Sequence, residues 1–156
     1  MNRTVAIFAS DVIRGNIVAR KLKREGLEPL LHHSAPEAVR AVQRHIPRVF
    51  IFDTAGAIPE ELRLVARCCD KLAGRAWLLC LGDAAAELTG LGLAPGCTFL
   101  SDPLDPEHIA GLVQDACDAP LPHMPEKASE FDLAPVSDAL IDLEAELKEF
   151  LGLERR

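Results

Sequence analysis

Five times in succession the chain alternates between apolar runs of strand length and stretches of helix length, and few folds accommodate that pattern. The runs are Thr4 to Ala9 (TVAIFA), Glu28 to His32 (EPLLH), Arg48 to Phe52 (RVFIF), Trp77 to Leu81 (WLLCL) and Cys97 to Leu100 (CTFL). Four of them are nearly continuous in apolar residues, as strands buried on both faces should be, whereas the second mixes in polar residues and reads as an edge. Between them, residues 12 to 25 place Ile13, Ile17 and Leu22, with Val18 and Ala19, on one broad face and end at Gly26. Residues 36 to 46 follow a Ser34 cap with Pro36 in the first turn and stop before Pro47. Residues 59 to 73 open with Pro59-Glu60-Glu61, acids that suit the positive end of a helix dipole. A short helix is expected over 84 to 91, and a last one from Pro106 to about Ala116 behind an Asp105 cap. Alternation of this kind with short connections requires a parallel sheet, right-handed crossovers and helices on both faces.

Composition narrows the function classes. The chain of 156 residues carries 24 acidic and 17 basic side chains, net −7, with no run of Lys and Arg able to track a phosphate backbone, which argues against direct nucleic-acid binding. Its five cysteines, Cys68, Cys69, Cys80, Cys97 and Cys117, include no C-x-x-C pair and read as small buried hydrophobes in a reducing compartment. The apolar stretch in MNRTVAIFASD is too short for a signal-peptide core or a bilayer span, so a cytoplasmic location and no membrane partner are expected. No G-x-G-x-x-G follows the first strand, and GLGLAPG at 90 to 96 precedes a strand and reads as a connecting loop. His32 and His33, adjacent on the edge strand, point to opposite faces and read as rim histidines.

In a doubly wound sheet, ligands bind outside the carboxyl ends of the strands, and here those ends carry aspartates: Asp11, Asp53, Asp83 and Asp102. Asp11 and Asp83 stand before helical stretches and read first as N-caps. Asp53 has no helix start behind it, and a carboxylate ending a central strand has no evident structural task.

From roughly residue 3 to 118, element order, element lengths and the motifs RVFIFD and FLSDPLDPEHI resemble the receiver domain of bacterial two-component response regulators. The resemblance implies a flavodoxin-like sheet of order 2-1-3-4-5. It puts Asp53 on the phosphoaccepting position and Phe99 on the aromatic switch position. It also exposes departures. Ala9 and Ser10 fall where the family has two metal-binding acids, with Asp11 one residue late. Leu81 or Gly82 stands where a Thr or Ser hydroxyl is used, and Asp102 replaces the family's lysine, reversing the charge. Of five chemical parts only Asp53 is clearly retained. A carboxylate about 4 Å from phosphoryl oxygens would repel them by roughly 4 kcal/mol at an effective dielectric of 20.

A second, weaker resemblance joins Asp11-Val12 and Gly15-Asn16-Ile17-Val18 to the first loop of cobalamin-binding domains, but Ile13 stands where that family has its cobalt-ligating histidine. No cofactor is expected, with one open possibility: Asp11, Asp53 and Asp102 together holding Mg²⁺.

Beyond the domain of residues 1–118, residues 119–136 carry prolines at 120, 122, 125 and 135 and read as a linker. Residues 137–156 (SDALIDLEAELKEFLGLERR) place Leu140, Leu143, Leu147, Phe150 and Leu151 on one stripe of an amphipathic helix. That stripe suits the domain's own surface, a second copy or a partner's groove. The expectation is a non-enzymatic signalling or scaffold protein working through protein contacts. The alternative is an atypical receiver phosphorylated on Asp53, with a histidine kinase or another signalling protein as partner.

Overall fold

In the computed structural model, residues 3–83 and 97–121 are described. The helix expected over 84–91, most of the linker and the stripe from Leu140 to Leu151 lie outside the described residues. Nine elements are present among them: β1 (Thr4–Ala9), α1 (Val12–Arg24), β2 (Glu28–His32), α2 (Ala35–Arg44), β3 (Val49–Asp53), α3 (Pro59–Leu72), β4 (Trp77–Leu81), β5 (Cys97–Leu100) and α4 (Pro106–Asp118). The strands form one sheet in the order β2-β1-β3-β4-β5, all neighbours parallel, as expected from the sequence.

Strand periodicity sorts the apolar side chains into two layers. Phe8, Phe50, Phe52 and Cys80 face one side with Val39, Val65 and Cys69, where α2 and α3 pack. Ile7, Ile51, Leu79 and Leu81 face the other with Val18, Leu22, Ile109 and Val113 of α1 and α4. All five residues of β3 are buried, as the middle strand of a doubly covered sheet must be. β2 is one edge, half-exposed as its polar residues foretold, and β5 is the other, with Thr98 and Phe99 exposed.

The helix ends follow local chemistry. Asp11 Oδ1 accepts the Arg14 N–H at 3.1 Å, Ser34 Oγ the Glu37 N–H at 3.4 Å and Asp105 Oδ1 the His108 N–H at 3.1 Å. Each cap typically contributes about 1 kcal/mol. At α3, the Glu61 carboxylate reaches back to accept the Ile58 N–H at 3.1 Å.

The buried face of α1 differs from the expectation. Gly15, Val18 and Leu22 face the sheet, while Ile13 is 72% and Ile17 42% exposed. A Cβ on Gly15 would lie 2.9 Å from Ala9 Cβ, so the helix approaches β1 most closely where it has no side chain. Two residues of offset turn a side chain about 200° around a helix, so seating Gly15 inward sends Ile13 and Ile17 outward. Among the described residues no helix is long and apolar enough to cross a membrane.

Candidate functional site

The register of the three central strands places Asp53 between Ala9 of β1 and Leu81 of β4, at the carboxyl edge of the sheet. Its side chain is only 1% exposed, and a buried carboxylate is costly unless its oxygens are bonded. They are. Oδ1 accepts the Ala55 N–H at 3.1 Å and Arg14 Nη2 at 3.1 Å, and Oδ2 accepts Arg14 Nε at 2.7 Å. This is the two-pronged guanidinium–carboxylate arrangement that gives the strongest side-chain pairing.

The same Arg14 Nη2 also donates to Asp102 Oδ1 at 2.9 Å. One cation thus pairs with both acids, its own side chain 19% exposed and that of Asp102 34%. The bond to Asp53, with a further contribution from Asp102, raises the Arg14 pKa above its already high ordinary value, so the guanidinium stays charged at every accessible pH.

Local structure aims Arg14 at this point. Its backbone N–H is held by the Asp11 cap in the first turn of α1, and that turn contains no acid. A cation there opposes the helix dipole by a few tenths of a kcal/mol to about 1 kcal/mol. Two carboxylates at hydrogen-bonding distance outweigh that. Sequence reading overlooked Arg14, yet a base in a first turn, in a chain with aspartates at its strand ends, was the available signal.

The loop after β5 is fixed from a second direction. The Asp102 N–H donates to Asp83 Oδ1 at 3.0 Å, and the Gly82 N–H to the Leu100 carbonyl at 3.0 Å. Asp83 therefore ties β4 to β5 through a carboxylate. Gly82 has φ +104°, and a Cβ there would sit 2.3 Å from Thr54 Oγ1. The Thr54 hydroxyl in turn donates to the Leu81 carbonyl at 2.9 Å. A serine or threonine at position 82 would have neither the backbone conformation nor the space.

The remaining sequence candidates are dispersed. Phe99 on edge strand β5 is 40% exposed. His33 is exposed, with Nδ1 2.8 Å from the Ala9 carbonyl, while His32 is half-buried and its Nε2 is buried without a partner. The residues present do not fit a divalent cation. Among the described residues no group of three or more His, Cys, Asp or Glu could hold a metal ion. Ala9 and Ser10 offer no carboxylate, Asp11 caps α1, and the Asp53 oxygens already accept from Arg14.

No protein-family model matches the sequence, and no curated protein matches it. Solved structures do. A response regulator receiver protein from Sinorhizobium medicae WSM419 superposes with a TM-score of 0.64 at 18% identity, covering 76% of this chain and 96% of that one. A CheY-like receiver domain protein from Methanospirillum hungatei JF-1 gives 0.59 at 17% identity, over 76% and 95% of the two chains. Chemotaxis protein CheY4 of Vibrio cholerae gives 0.58 at 21%, over 74% and 99%. The chain accordingly has the fold of the receiver domains of response regulators.

Proposed function

We propose that this protein is a non-enzymatic, cytoplasmic signalling or scaffold module, a receiver-like domain over residues 1–118 that works by protein contacts rather than by accepting phosphoryl groups. In this reading it also carries a linker over 119–136 and an interaction helix over 137–156. The observation carrying the proposal is the Arg14 fork on Asp53, shared with Asp102. Phosphoryl transfer depends on positioned charge around the acceptor. Here the acceptor-like carboxylate is buried, both of its oxygens are engaged, and the neighbouring acid positions cannot assemble a metal. Arg14 joins α1 to the ends of β3 and β5, so the former switch region is clasped in one arrangement.

The competing reading, phosphorylation of Asp53 in a phosphorelay, gains one point from the same geometry: a cation stands where phosphoryl charge would develop. Beryllofluoride, a phosphoryl mimic, discriminates the two in the full chain. Backbone amide NMR with and without Mg²⁺ should show no saturable shifts around Asp53 and Phe99. Saturable shifts that vanish in Asp53→Asn would establish the phosphorelay reading instead.

A further inference from the structure

The opposite end of the sheet carries an apolar groove that the site above does not use. It has a volume of about 200 Å³ and lies between α4 and strands β3 to β5, with Val49, Trp77, Leu79, Leu112, Val113 and Ala116 among its walls. Val49 and Trp77 are the first residues of β3 and β4, so the groove lies at the far end of these strands from Asp53. Small-molecule sites usually span roughly 300 to 1,000 Å³, and this one is smaller and mostly apolar, with Thr98 and Asp115 as its polar side chains. Its size suits protruding aliphatic side chains.

The described chain ends at this groove. Ala119 is one of its lining residues and the helix C-cap, and its carbonyl and that of Ala116 both accept from the Arg48 guanidinium, which pins the exit point beside Val49. The geometry points to cis docking: the stripe Leu140, Leu143, Leu147, Phe150 and Leu151 of the same chain is the segment that covers this groove.

Length permits it. Residues 120–136 separate the exit point from the stripe, and a chain of that length can reach at most about 55 to 60 Å. A helix over 137–151 would be about 22 Å long, a little more than the length of a five-residue strand, about 17 Å. Tethering decides between this copy and another one. A short tether holds its segment at an effective concentration of up to the millimolar range, so a second copy competes only near or above that. One polar group also waits in the wall: Trp77 Nε1 is buried and has no hydrogen-bond partner among the described residues.

Trp77 is the chain's single tryptophan, which gives the test its reporter. In the full-length protein, Leu143→Asp combined with Leu147→Asp should shift Trp77 emission to longer wavelength. It should also speed amide exchange in the last turns of α4 by about tenfold, the change that goes with a tenfold weaker association. Light scattering should give a monomer mass for both proteins. Groove-side Leu112→Glu should reproduce the shift, and because it risks the core, the tail variant carries the decision. Unchanged emission and exchange in the tail variant would overturn the proposal. So would a wild-type dimer whose dilution alone reproduces the shift, since the occupant would then be a second copy. Neither outcome bears on the Arg14 clasp, which lies at the other end of the sheet.

Discussion

At residue scale the decisive quantity is the charge beside a buried carboxylate. Asp53 is 1% exposed, and its oxygens are matched by a planar fork. Arg14→Lys keeps the charge but loses one of the paired bonds and the planar fit, so it should destabilise the protein by about 1 to 3 kcal/mol in urea unfolding. Gly82→Ala should cost about 1 to 3 kcal/mol by the same measurement, because φ +104° is strained for alanine and the added methyl meets the Thr54 hydroxyl. That Asp53 and Asp102 come together at one sheet edge was legible in the strand pattern. Arg14 was missed, since a charged residue on a helix surface carries no periodic signal and its partners lie 39 and 88 residues away, which left a base in a first turn as the one clue.

At element scale the helices and strands among the described residues were almost fully legible, with β3 beginning one residue later than the apolar run RVFIF suggested. Apolar runs bounded by caps, prolines and Gly26 leave little choice of element. Which face of α1 is buried was not legible, because the pattern weighed isoleucines as core and took no account of a glycine contact. The consequence is measurable. Leu22→Ala should destabilise by about 2 to 5 kcal/mol, as for a fully buried leucine, whereas Ile13→Ala should stay within about 0.5 kcal/mol. Equal losses at the two positions would mean that α1 is rotated from the orientation described.

At the scale of the whole molecule, charge and burial set the pH window. Burial lowers the His32 pKa from its ordinary 6.5, with Glu37 opposing and His33 adding to the shift. Below pH 6.5 the unfolded chain therefore binds a proton that the folded chain resists, so this contribution to stability is present above 6.5 and is lost as the pH falls. Urea midpoints taken at pH 7.5, 6 and 5 should decline, and His32→Gln should flatten part of that slope. On the alkaline side, burial pushes the Cys68 thiol up to about 12 and that of Cys69 well above its ordinary value of 9. Unfolded thiols ionise first, so stability should fall again above pH 9, and a thiol reagent at pH 8 should leave Cys68 and Cys69 unlabelled in the native protein. The sheet order was legible through the resemblance of the whole pattern to receivers, and the structural likeness bears it out. At the carboxyl edge, only three-dimensional proximity shows that Arg14 stands between Asp53 and Asp102.

The most direct test of the clasp is a double-mutant cycle on unfolding free energy with Arg14→Met, Asp53→Leu and the two combined. Arg14→Met alone leaves a buried carboxylate unpaired and should cost about 3 to 5 kcal/mol, while the double variant, with an apolar pair in place of the ions, should recover much of that loss. A coupling of about 2 kcal/mol or more is the predicted result. Coupling near zero, with the two single losses simply adding, would mean that Arg14 does not hold Asp53, and the account of the site would fall with it.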